Sequence, residues 1–423
     1  MYLQLHSVEY EAKRRRPQFH PHDEEDLNSE EKRKVLLVSI VPPRNDCGVR
    51  IVMYRHLVEG NQFKLHVASN ADFDDSLLVH TPLRLPYPIH RLQKSRFGPR
   101  LAPWLTDYEN FIWPLTTNRA LEEAVRHFKP DVILTLAECG LCHIARKIAQ
   151  RHGLPLAGLF LDWFPMTKGH YGHKWTRGIL SRRYRELYAA CDLAFCTSDG
   201  MHEMLGPHRN SHVIYPMPGK HRVRLEKSWP RTNEKFRLVY VGGAVDSFYG
   251  RMLCSLIEEI EATTDLEIIV VGPGADWPKQ LLERSRATGT YLGFKPPDEA
   301  TAVLASADAL LVVMSFDKEH ELFMRTSFRT KFLDYVAFGK PVILWGPEYC
   351  SPVRVARKHG GAAVVSTRDA NAVVALCRQI AADSALSKTL SNEALQLHQT
   401  LFNPNRLQDI FVQKITELVN GRN

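Results

Sequence analysis

Residues 325–346 read RTSFRTKFLDYVAFGKPVILWG, and the fold is predicted most directly from them. The continuous apolar run at 309–314 before it is typical of a buried parallel strand. Residues 331–338 predict a short packed helix that a glycine and a proline end, and residues 342–345 predict the next buried strand. This strand–helix–strand order places the loop before the helix at the carboxyl edge of a parallel sheet, which is where ligands bind in open α/β folds.

The loop and the first turn of the predicted helix carry side chains suited to an anion. Ser327 and Thr330 supply hydroxyls near a helix N-terminus, where free backbone N–H groups also favour negative charge. Lys331 adds a full positive charge, and Asp334, one helical turn later, is placed to accept hydrogen bonds from a ribose diol. These four residues predict a nucleoside diphosphate site, with an ordinary buried β–α–β unit as the structural alternative.

These residues, together with the G-K-P-V-I sequence at 339–343, resemble the donor site of GT-B glycosyltransferases. The resemblance is to the retaining family 4, also called glycosyl transferases group 1, and it implies an α/β fold of two Rossmann-like domains facing across a cleft. Members usually carry two glutamates separated by seven residues, the first toward the donor sugar and the second toward the ribose. This chain has Thr326 and Asp334 there, so the second change is conservative and the first removes a carboxylate.

The length of 423 residues allows two domains of ordinary size plus extensions. The resemblance is dense over residues 236–420 and rests on the order of elements alone over 35–215. It implies a flexible tail at 1–34, an acceptor-side Rossmann-like domain at 35–216 and a linker at 217–233. A donor-side Rossmann-like domain at 234–404 and a helix at 405–423 that crosses back to the first domain would follow.

In the donor-side domain the resemblance implies further ligand contacts. The first strand ends in Gly242 and Gly243, and the family binds the donor diphosphate at such a strand end, with a basic residue further on that is Arg251 here. Gly272 ends the next strand and is expected close to the nucleotide base. We expect Lys331 and Arg251 to act in catalysis by stabilising the charge of the departing nucleoside diphosphate.

In the acceptor-side domain the resemblance points to three strand-end positions. Gly48 lies in the loop that the family places against donor and acceptor, although a simple turn is the alternative. Glu138 follows a buried strand where many members carry a carboxylate, and Asp162 follows the next strand, where Leu161 takes the place of the family's histidine. We expect Asp162 to be catalytic or a helix cap, and Glu138 and Thr326 to lie on the sugar or acceptor side.

Positive charge is concentrated in the first half of the chain. The formal net charge is +8, and residues 35–230 hold 26 Lys and Arg against 17 Asp and Glu, which implies an anionic partner. Basic and aromatic residues interleave at 168–188, which predicts a peripheral contact with an anionic membrane. No nucleic-acid-binding motif accompanies them, so we expect no nucleic acid partner. The segment 83–114 fits neither strand nor helix and is predicted to contact the acceptor or to be a packed excursion.

Other classes of protein are disfavoured by the sequence. No apolar run reaches the roughly 20 residues that span a bilayer, and the N-terminus has no apolar region typical of a secretory signal. Eight scattered cysteines suit reduced thiols, so we expect a cytoplasmic location, at the inner face of the membrane where lipid is contacted. The C-G-L-C-H pattern at 139–143 matches a haem or zinc motif only weakly. We therefore expect no metal and no resident cofactor.

The predicted function is a metal-independent glycosyltransferase. It would move a hexose-type sugar from a nucleoside-diphosphate sugar, with UDP or GDP as the nucleotide, to a hydroxyl of a glycan or lipid-linked acceptor with retention. Two alternatives stay open. A degenerate GT-B protein would bind nucleotide or glycan without turnover, and a nucleotide-sugar epimerase would need several acidic or histidine groups around the sugar.

Overall fold

The computed structural model describes residues 32–46, 48–71, 78–167, 169–219, 229–230, 234–243, 249–273 and 277–421. The predicted flexible tail up to residue 31 and most of the predicted linker at 217–233 lie outside the described residues. The chain divides into two compact units that interleave in sequence. The first comprises residues up to 196, 205–212 and those from 411 onward, and the second comprises 197–204 and 213–410.

The first unit is built on a seven-stranded sheet. Its strands are β1 (Lys34–Ser39), β2 (Lys64–Ser69), β3 (Val79–Pro82), β4 (Val132–Leu136), β5 (Leu156–Phe160), β6 (Leu193–Cys196) and β7 (Ser211–Val213). Their spatial order is β3-β2-β1-β4-β5-β6-β7, and the neighbours from β3 to β6 pair in parallel. Every residue of β4, β5 and β6 is buried, which explains why the sequence predicts these strands from continuous apolar runs.

Helices cover this sheet, and two of them lie in a segment that the sequence predicted to fit neither helix nor strand. They are α1 (Gly48–Tyr54), α2 (Tyr87–Gln93), α3 (Gly98–Asp107), α4 (Arg119–Phe128), α5 (Leu141–His152) and α6 (Thr176–Ala190). The prediction that the segment 83–114 fits neither helix nor strand is wrong, because α2 and α3 lie within it. Each of these two helices has a proline in its first turn, where the missing N–H costs nothing.

The second unit is built on a five-stranded sheet. Its strands are β8 (Phe236–Val241), β9 (Leu266–Val271), β10 (Ala309–Val313), β11 (Val342–Trp345) and β12 (Ala363–Val365), in the order β12-β11-β10-β8-β9. All four pairs are parallel. The predicted strand at 342–345 coincides with β11, and the predicted strand at 309–314 ends one residue earlier as β10.

Ten helices begin among the described residues from 197 onward. They are α7 (Asp199–Leu205), α8 (Arg251–Glu261), α9 (Lys279–Ala287), α10 (Pro297–Ala305), α11 (Glu321–Thr326), α12 (Thr330–Val336), α13 (Ser351–His359), α14 (Ala370–Ala382), α15 (Ser384–Gln399) and α16 (Pro404–Asn420). α16 supplies residues to both units. Among the described residues no helix is both long enough and apolar enough to cross a membrane.

The short helix α12 is held in place by its buried face. Phe332, Leu333, Tyr335 and Val336 are buried, and they join a core that includes Phe328 and Phe402. The Phe332 and Phe402 rings lie edge to face, with centroids 5.5 Å apart. A helix of seven residues is not stable alone in water, so this packing fixes where its first turn lies. The position of Lys331 is set in this way.

Candidate functional site

The carboxyl ends of β8 and β9 meet through two glycines. The Gly242 N–H donates to the Val271 carbonyl over 2.7 Å, and the Gly272 N–H donates to the Gly293 carbonyl over 2.8 Å. Gly242 and Gly272 have φ values of +149° and +154°, which side-chain-bearing residues rarely adopt. A Cβ on Gly272 would also overlap the Gly242 carbonyl. Both positions therefore require glycine, and the two strand ends lie directly against each other.

Lys331 fills the space that Gly242 leaves open. Its Nζ donates to the Tyr240 hydroxyl over 3.0 Å and lies 4.5 Å from the centroid of the Tyr240 ring. A Cβ on Gly242 would overlap this ammonium. Burial lowers the pKa of Lys331, the charge of Arg329 lowers it further, and Tyr249 acts in the opposite direction. Lys331 is thus a desolvated cation at the strand end, as the sequence places it, but it is not at an exposed helix start.

A second cation, which the sequence analysis missed, lies near the first. The Arg329 guanidinium is 5.5 Å from the Tyr249 ring centroid and 5.4 Å from that of Phe323, and the Lys331 ammonium is 5.8 Å from Tyr249. Burial raises the pKa of Tyr249, but both cations and a hydrogen bond with Tyr240 lower it, so that it falls below its ordinary value. Tyr249 therefore lies in a strongly positive field.

Neither cation forms an ion pair in the part of the chain that the structure describes. No carboxylate oxygen of the described residues lies within 4.0 Å of the Arg329 guanidinium or the Lys331 ammonium. By contrast, the neighbouring Arg325 is paired with Glu321 at 2.9 Å. Half-buried positive charge without a carboxylate partner favours an anionic ligand.

Asp334 lies one helical turn beyond Lys331, and its carboxylate is engaged. Its Oδ1 accepts a hydrogen bond from the Gly219 N–H over 2.9 Å. The sequence assigns this carboxylate to a ribose diol, and that assignment stays a prediction. A ribose would have to share the carboxylate with this backbone donor.

The remaining predicted donor-side residues differ in accessibility. The Thr326 side chain is 0% exposed, and its hydroxyl donates to the Leu322 carbonyl over 2.8 Å. Ser327 is buried as well, whereas Thr330 is half-buried at the start of α12. Arg251 begins α8 and is exposed. The structure gives Thr326 no exposed side chain with which to contact a sugar.

Gly243 makes a backbone contact at the same strand end. Its carbonyl accepts a hydrogen bond from the Tyr240 hydroxyl over 2.8 Å. The Tyr240 hydroxyl therefore donates to Gly243 and accepts from Lys331, which connects the strand end to the first turn of α12. No motif in the sequence marks Tyr240 or Tyr249, because both reach this position only through the fold.

The first sheet brings Glu138 and Asp162 to its own carboxyl edge, after the adjacent strands β4 and β5. Burial, assisted by the negative charge of Asp162, raises the pKa of Glu138 to about 8. His170 Nδ1 lies 3.3 Å from Glu138 Oε1, and burial lowers the pKa of His170 to about 4. At neutral pH the carboxyl therefore holds a proton and the imidazole is neutral, so the contact is a neutral pair and not an ion pair.

Other residues position the Glu138–His170 pair. The Asn110 Nδ2 donates to the His170 carbonyl over 2.8 Å, and the Arg183 guanidinium donates to the Asn110 carbonyl over 2.7 Å. The Tyr184 hydroxyl donates to the Asp162 carbonyl over 3.0 Å. The sequence analysis missed His170 and Asn110, because both come from segments without a recognisable strand end.

The other predicted features of the first unit have simpler roles. Gly48 begins α1 with a φ of +55°, and a Cβ there would meet no atom within 4 Å, so its conformation explains the glycine. The Cys142 thiol donates to the Cys139 carbonyl over 2.9 Å, and both cysteines are buried. The residues that the structure describes contain no group of three or more His, Cys, Asp or Glu side chains arranged for a metal ion.

The glycine at 242 allows a steric test. We expect Gly242→Ala to displace the Lys331 ammonium and to destabilise the second unit by at least about 1–2 kcal/mol, because the φ is unfavourable for L-residues. Gly243→Ala is the matched control, since a Cβ there meets nothing within 4 Å. The measurement is the thermal unfolding midpoint of both variants, and equal midpoints would contradict the packing described for Lys331.

The raised pKa of Glu138 predicts a pH dependence of stability. The folded state keeps a proton on Glu138 that the unfolded carboxyl loses near its ordinary pKa of 4.5. The contribution of this carboxyl to the free energy of unfolding is therefore fully present at low pH and is lost as the pH rises toward about 8. Between pH 6.5 and 8, which is above the ordinary pKa of His170, the free energy of unfolding of Glu138→Gln should rise relative to that of the wild type by about 1.4 kcal/mol per pH unit. Unfolding midpoints of both proteins across this range test the prediction. A difference that does not change with pH would contradict it.

Residues 230–383 match the sequence model of the family Glycosyl transferases group 1, whereas no curated protein matches the chain. HepE of Anabaena, solved with UDP and glucose, is similar in structure with a TM-score of 0.63 at 12% identity, covering 91% of this chain and 100% of its own. Sucrose-phosphate synthase of Thermosynechococcus elongatus gives 0.61 at 13% identity, with 92% and 100% covered. WaaG, a glycosyltransferase involved in lipopolysaccharide biosynthesis, gives 0.55 at 13% identity, with 90% and 99% covered.

The matched range contains the cation site of the second unit, including Gly242, Arg329, Lys331 and Asp334. At these identities the solved structures establish the fold alone, and with the two parallel sheets they confirm the predicted GT-B fold. Residues 230–383 therefore resemble the Glycosyl transferases group 1 family and the chain has a GT-B fold, so the predicted resemblance is confirmed in these two respects.

Proposed function

We propose that this protein transfers a hexose-type sugar from a nucleoside-diphosphate sugar to a hydroxyl of a glycan or lipid-linked acceptor, with retention and without a metal ion. The observation that carries the proposal is the pair of half-buried cations, Arg329 and Lys331, with no carboxylate of the described residues within ion-pair distance. UDP is the first nucleotide to test, because HepE, which shares the fold, was solved with UDP.

The proposed chemistry needs positive charge at the leaving group. When the bond from the sugar to the diphosphate breaks, negative charge develops on the departing nucleoside diphosphate. Two fixed cations would stabilise that charge. The Lys331 ammonium is held by the Tyr240 hydroxyl before any ligand arrives, so little reorganisation is required. Arg251 is an exposed candidate for the same role.

The acceptor side of the proposal rests on the first unit. Glu138 and Asp162 follow adjacent strands of the first sheet, at the edge where open α/β folds bind ligands. A neutral carboxyl beside a neutral imidazole suits an uncharged hydroxyl acceptor better than an anionic one, because neither group brings a full charge. On this basis we assign Glu138 to the acceptor and sugar side, and we assign the catalytic role to Asp162, whose negative charge acts on Glu138.

A second candidate function has a specific observation in its favour. Thr326 stands where the family carries its first glutamate, and the Thr326 side chain is buried with its hydroxyl bonded to the Leu322 carbonyl. A protein without that carboxylate could bind the nucleotide without turnover. Measuring the release of UDP from UDP-glucose, with and without EDTA, distinguishes a transferase from a binding protein. Release that persists in EDTA supports a metal-independent transferase. Binding of UDP without release from UDP-glucose supports a binding protein.

The first prediction on ligand binding concerns Arg329 and Lys331. We expect Lys331→Ala and Arg329→Ala each to lower the affinity for UDP by about 10- to 150-fold, because a hydrogen bond to a charged group contributes roughly 1.5–3 kcal/mol. Arg325→Ala is the matched control, since Arg325 lies in the same segment but is paired with Glu321. Calorimetric titration with UDP, GDP, ADP and dTDP measures the effect. Unchanged affinity in both alanine variants would overturn the diphosphate assignment.

Asp334 allows nucleoside recognition to be separated from diphosphate recognition. We expect Asp334→Asn to weaken UDP binding while pyrophosphate binding stays the same, because an amide accepts less well from two ribose hydroxyls. Asparagine keeps one oxygen that can accept from the Gly219 N–H, so the local backbone contact should survive. Titration of each variant with UDP and with pyrophosphate is the measurement. Equal losses for both ligands would show that Asp334 does not recognise the ribose.

A further inference from the structure

Exposed apolar side chains are concentrated in one part of the first unit. Of the ten large hydrophobic residues that are exposed among the described residues, eight fall within two segments, 92–115 and 166–179. We call this surface the α2–α3 face, and it comprises Leu92, Phe97, Trp104, Ile112, Leu115, Met166, Trp175 and Ile179. Trp104 is 64% exposed and Trp175 is 67% exposed, so neither indole is part of the core.

The two segments that form the α2–α3 face are packed together. Asp107, at the end of α3, accepts a hydrogen bond from the Thr176 hydroxyl over 3.0 Å and lies 2.6 Å from His173 Nδ1. The His173 ring is 4.5 Å from the Trp104 ring and 5.8 Å from the Trp175 ring, centroid to centroid. The two tryptophans are thus held next to one imidazole that is itself fixed by a carboxylate. They are exposed but not loosely placed.

Basic residues surround these apolar side chains. The exposed Arg91, Lys94, Arg96, Arg100 and Lys174 lie in or beside the same segments, and no carboxylate of the described residues is within 4.0 Å of any of their charged groups. The acidic residues of α3 and the turn after it are engaged elsewhere. Asp107 binds His173 and Thr176, and Glu109 accepts from Gln93 over 3.3 Å. Among the described residues, the α2–α3 face therefore presents positive charge without a carboxylate partner, and the Arg96 guanidinium lies 4.8 Å from the centroid of the Phe97 ring.

We propose that the α2–α3 face binds the surface of an anionic lipid bilayer. Tryptophan favours the boundary between headgroups and acyl chains, because its indole is apolar with one polar edge. Unpaired arginine and lysine side chains around it match anionic headgroups. Protein interfaces are typically depleted of lysine, whereas the exposed Lys94 and Lys174 lie among the apolar side chains here. The proposal goes beyond sugar transfer and stands independently of it.

The α2–α3 face differs from the stretch for which the sequence predicted a membrane contact. The stretch 168–188 predicted a membrane contact through interleaved arginines and tyrosines, but Tyr184 and Tyr188 are fully buried. Arg183 donates to the Asn110 carbonyl, and Arg182 is paired with Glu186 at 3.4 Å. Only the beginning of that stretch, around Trp175, reaches the surface that we propose. Most of the surface comes from α2, α3 and the turn after α3.

Vesicle flotation of the full chain tests the proposal. The vesicles are phosphatidylcholine alone or phosphatidylcholine mixed with phosphatidylglycerol, at low salt and at 1 M salt, where the screening length falls to about 3 Å. Each basic residue near an anionic surface strengthens binding about five-fold, so Arg96→Gln/Arg100→Gln should weaken it about 30-fold. Trp104→Ala/Trp175→Ala should weaken it as well. The matched controls lie in the second unit: Lys358→Gln/Lys388→Gln for charge and Phe294→Ala for an exposed aromatic.

The outcomes separate the bilayer from other partners. Binding to anionic vesicles that salt and both test variants reduce, with controls like the wild type, supports the proposal. No binding at low salt, equal binding to neutral vesicles, or test variants that bind like the wild type would overturn it. Self-association in sedimentation that Trp104→Ala/Trp175→Ala abolishes would instead assign the face to a second copy of the chain. UDP titration of the same variants should be unchanged, so failure here leaves the donor site standing.

Discussion

The ammonium of Lys331 lies against the backbone of Gly242 and over the ring of Tyr240, and this contact determines the geometry of the candidate donor site. A partly desolvated cation is unfavourable unless its surroundings replace water. Here the Tyr240 hydroxyl accepts from the ammonium at 3.0 Å, and the ring face adds a cation–π attraction of about 2 kcal/mol at a desolvated site. Because Tyr240 belongs to β8 and Lys331 to α12, the same contact also joins a strand end to a helix start.

The carboxyl edges of the two sheets differ in their chemistry. The edge of the second sheet carries two cations. Burial and the charge of Arg329 lower the pKa of Lys331, so a bound anion would stabilise the charged form of Lys331. The edge of the first sheet carries a protonated Glu138 beside a neutral His170, so burial has removed the charge of this pair, next to the negative charge of Asp162. A nucleotide sugar has a charged diphosphate and an acceptor has neutral hydroxyls, and the two edges suit these two halves of the proposed reaction.

The sequence predicts the strands well because burial on both faces leaves a simple pattern. β11 is an apolar run between a proline and a glycine, and its predicted limits at 342–345 match the structure. β8 and β9 end directly before Gly242 and Gly272, as the sequence predicts. The helices in the segment 83–114 were not predicted because prolines interrupt a helical pattern there, although first-turn prolines are compatible with α2 and α3. The short edge strand β3 has exposed and half-buried residues and gave no signal at all.

At the site, the sequence predicts residues that lie at strand ends or at a helix start, and it misses residues that reach the site from elsewhere in the chain. Gly242, Gly272 and Lys331 lie at strand ends or a helix start, and the structure brings Gly242 against both of the others. Tyr249 is 82 positions before Lys331 in the chain, so no local sequence pattern connects the Tyr249 ring with the Lys331 ammonium. Arg329 was overlooked for a different reason, because the family pattern does not assign a charge to that position.

Asp334 shows how far the family resemblance extends to this chain. Its carboxylate lies where the family is expected to bind a ribose, yet one oxygen already accepts from the Gly219 N–H. A carboxylate has about four lone-pair positions, so the hydrogen bond from Gly219 does not by itself exclude ribose hydroxyls. The ribose role is therefore compatible with the observed contact as long as the hydroxyls approach without displacing Gly219. Recognition of the nucleoside would then depend on the backbone just before residue 220 as well as on Asp334 itself.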